Sequence, residues 1–381
     1  MATQKPLTVI SNTIETMPNQ SFTSHGLFPT WTTNSGYSSS NTWVQTRRAL
    51  SMRIGMNLVG SQLSTVATAS SNITADATKW SGAVLAPNGM IYCIPYNSTS
   101  VLRIDPVAKT ASTFGSLGGT TPQWVGGVLA PNGYIYGIPH SNTTVLKIDP
   151  TTNTVTTFGS LSGATKWWGG VLAPNGMIYG IPYSSATVLK IDPTTDTATT
   201  FGSLTPGWRG GVLAPNGIIY GMPGSSTTIL KIDPMVDFAY AIASGITGVA
   251  VNCDGGVLAA NNCIYAVPST YTAVIKINPA TDLVTTFGSL AGTTKWSGGV
   301  LAPNGAIYGI PYSSTSILRI DPTTDAATTF NTVVAGYSGG TLALNGVIIA
   351  APSTAATFLT IGAPAIDIPS DYPLSRYFNK F

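Results

Sequence analysis

Apolar and polar positions alternate in short runs along most of this chain, and the runs recur in a fixed order. A typical unit begins with GGVLA, turns at PNG into IYGIP, and passes a polar loop to reach VLKI. A DPTT turn follows, and the unit ends with TVTTFGSL. Runs of this length, rich in β-branched and aromatic residues and bounded by Gly, Pro, Asn and Asp, are typical of strands. Each unit therefore predicts four short strands.

Seven copies of this unit follow one another. The shared segment is W-x-G-G-V-L-A-P-N-G-x-I-Y-G-I-P in its fullest form, and successive copies begin 41 to 45 residues apart. A period in the forties with four strands per unit predicts a β-propeller, and a solenoid is the alternative. The copies begin at Trp80, Trp124, Trp167, Trp208, Cys253, Trp296 and Tyr337.

The two ends of the repeat region complement each other. The last copy, Tyr337 to Ile361, contains only three predicted strands, whereas Leu63 to Ser70 aligns with the fourth strand of the other copies. We expect this N-terminal strand to pair near residue 359, which would complete the seventh blade and remove the last free sheet edge. The fold class predicted for residues 63–361 is therefore all-β, a seven-bladed β-propeller of four-stranded blades closed by an N-terminal strand.

Residues 1–62 and 362–381 do not match the repeat. We interpret the first segment as an N-terminal anchoring arm, with an ordered strap folded back on the propeller as the alternative, and the second as an extended C-terminal tail. The arm contains the basic stretch TRRALSMRIGMNL, and the tail ends in SRYFNKF. The candidate anchoring residues are Arg47, Arg48, Arg53, Tyr377, Phe378 and Phe381.

Composition narrows the classes of function. Only 8% of the residues are charged and the net charge is +3, so the overall charge does not indicate nucleic-acid binding. The chain has no run of 18 apolar residues and no apolar segment of signal-peptide type near Met1, so we expect synthesis in a cytoplasm and no membrane insertion. No His/Cys cluster and no Gly-rich phosphate loop occurs, which predicts neither a metal nor a cofactor.

Candidate binding residues are those that depart from the repeat. The tryptophans that begin the copies either stack on sugars or wedge between blades, and wedging is usual for large aromatics in propellers. Trp168 and Arg209, each directly after such a tryptophan, break the pattern. The loop after IYGIP also varies between copies, on the face where propellers usually bind partners. Tyr with Ser and Asn suits recognition of glycans or proteins, although ordinary exposed loops are the alternative. The candidate loop residues are Tyr96, His140, Tyr183 and Tyr312.

Catalytic groups are few. The only histidines are His25 and His140, and the loop of His140 contains no carboxylate. Glycoside hydrolysis uses a pair of carboxylates, and most aspartates here occupy turn positions of the repeat. We therefore expect a protein that is not an enzyme, with a polysaccharide-active or lyase propeller as the alternative. The aspartates outside the Asp-Pro turns are Asp76, Asp196, Asp237, Asp254, Asp282 and Asp325.

Two segments resemble known proteins. The final SRYFNKF resembles the C-terminal ends of structural proteins from tailed bacteriophages, and the LAPNG-x-IYGIP repeat resembles kelch-like propellers of phage and bacterial origin. The resemblance implies a virion protein made in the host cytoplasm: a homo-oligomeric tail fibre or receptor-binding protein whose propeller loops contact the host surface. Its partners would be other virion proteins and a host cell-surface glycan or protein. A capsid or tail decoration or assembly protein is the alternative.

Overall fold

Seven four-stranded antiparallel sheets make up most of the part of the chain that the computed structural model describes, one for each copy of the repeat. The inner strands of successive sheets contact each other in sequence, and the last contacts the first, so the sheets close into a ring of seven blades. The predicted fold class is confirmed. The described residues are 9–10, 13–14, 66–68, 79–119, 122–246 and 251–362.

The first six blades are meanders whose four strands run outward from the central axis in chain order, and the seventh takes its outer strand from the N-terminal side. The inner strands are β4 (Trp80–Leu85), β8 (Trp124–Leu129), β12 (Trp167–Leu172), β16 (Trp208–Leu213), β20 (Cys253–Leu258), β24 (Trp296–Leu301) and β28 (Tyr337–Leu342). The second strands are β5 (Ile91–Pro95), β9 (Ile135–Pro139), β13 (Ile178–Pro182), β17 (Ile219–Pro223), β21 (Ile264–Pro268), β25 (Ile307–Pro311) and β29 (Ile348–Pro352).

The third and outer strands complete the blades. The third strands are β6 (Val101–Asp105), β10 (Val145–Asp149), β14 (Val188–Asp192), β18 (Thr228–Asp233), β22 (Val274–Asn278), β26 (Ile317–Asp321) and β30 (Leu359–Ile361). The outer strands are β7 (Thr110–Phe114), β11 (Thr154–Phe158), β15 (Thr197–Phe201), β19 (Phe238–Ala243), β23 (Leu283–Phe287), β27 (Ala326–Phe330) and β3 (Val66–Thr68).

The seventh blade is closed as the sequence predicts. Its outer strand β3 comes from the N-terminal side of the ring and pairs antiparallel with β30, with Val66 opposite Ile361 and Thr68 opposite Leu359. Strands from both ends of the repeat region therefore form one sheet, and no blade is left with three strands.

The chain divides into two compact units. Residues 38–365 contain the seven blades, and residues 1–37 with 366–381 contain the short pair β1 (Val9–Ile10) and β2 (Thr13–Ile14). The predicted end of the arm at residue 62 falls outside the described residues. So do the anchoring candidates Arg47, Arg48, Arg53, Tyr377, Phe378 and Phe381.

Apolar side chains fill the interfaces between neighbouring blades. Tyr92 and Ile94 of the first blade, for example, pack with Trp124 and Ile148 of the second. The tryptophans that begin the inner strands lie in these interfaces, at most 3% exposed, and Trp124 donates its indole N–H to the Thr144 carbonyl at 2.8 Å. These rings wedge between blades, so they are not platforms for sugars.

A ring of seven glycines surrounds the central axis. The third residue of each inner strand is a glycine with positive φ, from 64° at Gly210 to 92° at Gly82, and the strand bulges here. A Cβ on Gly82 would lie 2.8 Å from the Cα of Gly126, and one on Gly339 would lie 2.9 Å from the Cα of Gly82. Only glycine allows both this conformation and this approach of one backbone to the next. The ring members are Gly82, Gly126, Gly169, Gly210, Gly255, Gly298 and Gly339.

Candidate functional site

Two sets of residues meet at one end of the ring, where the inner strands begin and the second strands end. The register pairs the start of each inner strand with the proline that ends its neighbour, as Trp167 pairs with Pro182. We call this end the channel mouth and define it by the second residue of each inner strand and by the residue after each second strand. The first set is Ser81, Val125, Trp168, Arg209, Asp254, Ser297 and Ser338. The second set is Tyr96, His140, Tyr183, Gly224, Ser269, Tyr312 and Ser353.

Hydrogen bonds across the axis show that the first set converges. Trp168 of the third blade donates its indole N–H to Asp254 Oδ1 of the fifth blade at 2.9 Å. The Ser297 hydroxyl donates to Asp254 Oδ2 at 2.7 Å. Ser338 lies 3.1 Å from Ser297 and 3.0 Å from Ser81, oxygen to oxygen. Side chains from five blades thus form one polar network, in which both oxygens of the buried Asp254 carboxylate are occupied.

Aromatic rings surround Trp168. The centroids of His140, Tyr183 and Tyr96 lie 5.3, 5.5 and 6.5 Å from that of Trp168. The Arg209 guanidinium carbon lies 4.2 Å from the Trp168 centroid and 4.5 Å from that of Tyr183, so the cation contacts two π-systems. Five of the six binding candidates predicted from the sequence therefore form one cluster.

The sixth candidate, Tyr312, lies close enough to act electrostatically on the same cluster. The pKa of Tyr96 is raised, first by burial and then by Tyr312, with a further contribution from the Asp254 carboxylate, while Arg209 lowers it. Tyr96, Tyr183, Tyr312, Trp168 and Arg209 are all partly exposed. The channel mouth thus presents aromatic rings and one cation to the outside.

His140 differs from the expectation that it belongs to an exposed variable loop. Its side chain is buried with its ring edge-on to that of Trp168, and its Nδ1 lies 3.1 Å from the Ser141 hydroxyl. Burial, with the Lys166 and Arg209 charges, lowers the pKa of His140 to about 4. The neutral imidazole therefore packs within the aromatic cluster and has almost no exposed surface for a partner.

The sequence analysis did not identify two kinds of residue at this end as part of the site. Asp254 was grouped with aspartates that mostly occupy turns, yet it lies in an inner strand, as alignment of CDGGVL with WWGGVL indicates. Lys166 and Lys295 are buried directly before a tryptophan. The Lys166 ammonium donates to the carbonyls of His140 at 3.2 Å, Asn142 at 2.9 Å and Gly163 at 2.7 Å. The recurring Lys-Trp dipeptide was a signal for these lysines, which tie neighbouring blades together.

The opposite end of the ring carries a repeated contact between blades, which we call the latch. In the second blade, Tyr136 places its hydroxyl 2.8 Å from Asp196 Oδ1 of the third blade, and Lys147 pairs with Asp196 Oδ2 at 2.5 Å. Asn132 donates to the Tyr136 hydroxyl at 3.0 Å and to the Pro193 carbonyl at 2.7 Å. The same contact recurs at the next three interfaces, with Asp237, Asp282 and Asp325 as the carboxylates. These aspartates are structural.

The geometry of the channel mouth suits binding. Partly exposed aromatic rings can stack on an apolar face of a ligand, while Arg209 and the tyrosine hydroxyls can hydrogen-bond to its polar groups. Among the described residues, no cluster of three or more His, Cys, Asp or Glu side chains could hold a metal ion. The same part of the chain contains no helix long and apolar enough to cross a membrane.

The fold and this site define a seven-bladed β-propeller with an aromatic and polar cluster at one end of its axis. Residues 37–202 match the model of a protein family described as a repeat of unknown function (DUF6923). No curated protein matches the chain.

Solved structures with the same fold include enzymes. A streptogramin B lyase is 11% identical with a TM-score of 0.67, over 78% of this chain and 97% of that one. A catalytically inactive histidine-to-alanine variant of virginiamycin B lyase from Staphylococcus aureus, with quinupristin, gives the same identity and TM-score over 78% and 99%. Hydrazine synthase from Kuenenia stuttgartiensis is 13% identical with a TM-score of 0.60, over 80% and 99%. Identities this low show a shared fold alone.

Proposed function

We propose that this protein is a recognition module that binds a saccharide at the channel mouth. The observation that carries the proposal is the convergence of Trp168, Tyr96, Tyr183 and Arg209 at the end of the axis. Pyranose rings combine apolar faces with hydroxyl groups, so they can stack on aromatic side chains while donating and accepting hydrogen bonds.

We further propose that recognition takes place without catalysis. Of the described carboxylates, Asp254 is the one at the channel mouth, and both of its oxygens already accept hydrogen bonds from Trp168 and Ser297. Glycosidases usually need a second carboxylate about 5–10 Å away. Because enzymes share this fold, a lyase or polysaccharide-active propeller is the alternative. Incubating the protein with a saccharide that it binds, and analysing the mixture for cleaved products, would reveal such an activity.

The resemblance of the C-terminal residues to phage structural proteins suggests where saccharide recognition would take place. We propose that the propeller belongs to a virion and presents the channel mouth to a host cell-surface glycan, with the terminal segments contacting other virion proteins. Several copies on one particle would raise the overall affinity by multivalency. Immunogold labelling of purified particles tests this proposal. Label on the tail would support attachment, and label on the head would support the alternative role in decoration.

The binding proposal is tested with the purified chain on a saccharide array, followed by calorimetry of the saccharides that bind. Replacing Trp168 with Ala should weaken binding by about 2 kcal/mol, roughly 30-fold, because the central aromatic of the site is lost. Phe238→Ala is the matched control, since Phe238 is a 58% exposed aromatic on the outer strand β19, away from the axis. Binding that survives Trp168→Ala, or is lost equally in the control, would contradict the site.

A further inference from the structure

Most basic side chains of the repeats already have polar partners. The latch lysines Lys147, Lys190, Lys231 and Lys276 pair with aspartates at 2.5 to 2.7 Å. Lys295, like Lys166, donates to three backbone carbonyls. Among the described residues Arg209 forms no ion pair, although it lies at the channel mouth beside the aromatic rings.

The hydrogen-bonding capacity of Arg209 is only partly used. A guanidinium has five N–H donors in one plane. Arg209 donates from Nη2 to the Tyr183 hydroxyl at 2.9 Å and from Nη1 to Asn252 Oδ1 at a long 3.4 Å, while its Nε has no partner. Because Nε is buried and Trp168 and Tyr183 contact the guanidinium, the donors still available to a ligand are on Nη1 and Nη2, from which a carboxylate can accept two parallel bonds.

The surrounding charges favour an anion near Arg209. Lys166 lies close enough for its charge, together with that of Arg209, to lower the pKa of His140. Asp254, whose carboxylate is the one at this end among the described residues, receives its hydrogen bonds from Trp168 and Ser297 and forms no ion pair with Arg209. Asp254 therefore orients the Trp168 ring and leaves the Arg209 charge available.

We propose that the saccharide bound at the channel mouth carries a carboxylate, which Arg209 binds while the sugar ring lies against Trp168 and Tyr96. This inference rests on the proposed saccharide-binding function and names the class of ligand as acidic sugars. Uronic and sialic acids share the required chemistry, a carboxylate attached to a pyranose ring.

Matched pairs of sugars test the proposal on the unchanged protein. Methyl β-glucuronide is compared with methyl β-glucoside, and sialyllactose with its neutral methyl ester, by calorimetry in low salt and again with added sodium chloride. At least one acidic sugar should bind roughly 10- to 100-fold more tightly than its neutral partner, as expected for a hydrogen-bonded charge pair. The pair with the larger difference in affinity shows whether the protein prefers a uronic acid or a sialic acid.

Variants then assign the preference to Arg209. Arg209→Met should abolish the difference between acidic and neutral sugars, and Arg209→Lys should retain part of it because the charge remains. Arg103→Met is the control, since Arg103 occupies the third-strand position equivalent to Lys147, away from the channel mouth. A preference that persists in Arg209→Met would overturn the assignment.

The outcomes separate this inference from the function on which it rests. Equal binding of acidic and neutral sugars, still weakened by Trp168→Ala, would overturn the acidic ligand and leave saccharide recognition standing. Binding of none of the four probes, and of no saccharide on the array, would overturn both.

Discussion

The two ends of the ring are built from the same repeat but differ in what they hold. At the latch end, Tyr136, Tyr179, Tyr220 and Tyr265 make the same hydroxyl–carboxylate contact with the next blade. At the channel mouth, the second positions of the inner strands carry Ser, Val, Trp, Arg and Asp, and neighbouring blades have the same residue there only where both have serine. Repetition marks the residues that close the ring, and departure from repetition marks the residues available for a ligand.

The glycine ring separates these two ends, and adding a methyl group there gives the largest expected effect. Gly82→Ala would place a Cβ 2.8 Å from the Cα of Gly126 at a φ of 92°. Both the clash and the strain destabilise, so we expect the free energy of unfolding to fall by about 4 kcal/mol or more. Chemical denaturation measures it.

Gly133→Ala is the matched control for that substitution. Gly133 has a similar φ of 85°, yet no atom lies within 4 Å of the added Cβ. Strain alone should reduce the free energy of unfolding by about 1 kcal/mol. Equal losses in the two variants would show that backbone contact around the axis contributes nothing.

Lowering the pH should reduce the stability of the protein through protonation of His140 at the channel mouth. Its pKa of about 4 lies below the value near 6.5 of an unfolded chain, so between these values the unfolded state binds a proton that the folded state does not. The free energy of unfolding is therefore unaffected by this group above pH 6.5 and falls as the pH drops to 4, by up to roughly 3 kcal/mol. Melting temperatures of the protein and of His140→Gln across this window measure the difference, and parallel pH profiles would contradict it.

A smaller effect is expected from single hydroxyl groups, and it should differ between the ends. Tyr179→Phe removes the hydroxyl that lies 2.9 Å from Asp237 Oδ1 and accepts from Asn175, so two partners lose a bond. The free energy of unfolding should fall by about 1–3 kcal/mol. Tyr312→Phe, at the partly exposed channel mouth, should change it by less than about 0.5 kcal/mol. Similar losses at the two ends would remove the distinction between them.

Much of the fold was predictable because each strand has a local signal. The PNG and DPTT turns fix where strands end, and the short last copy with its missing strand predicted the pairing of Val66 with Ile361. The latch could not be predicted in the same way. Tyr136 and Asp196 are 60 residues apart, and only the closure of the ring brings one blade's turn against the next.

The candidate site was predictable in part, for a related reason. Trp168 and Arg209 stood out because they depart from the repeat, and the structure brings them within 4.2 Å. The exposure of each side chain was not predictable, because His140 occupies the same loop position as Tyr183 but is buried against the Trp168 ring. The bond from Trp168 to Asp254 spans the axis between the third and fifth blades, a distance that no local pattern encodes.

The pairing of β3 with β30 also has a consequence for how the chain is made. Strand β3 is synthesised about 290 residues before its partner β30, which is roughly 15–60 seconds at usual elongation rates. During this interval blades one to six can form from consecutive residues, while the seventh sheet waits for β28 to β30. Completion of the ring thus depends on its last strands, and a product truncated before them would keep an unpaired edge that quality-control proteases can distinguish.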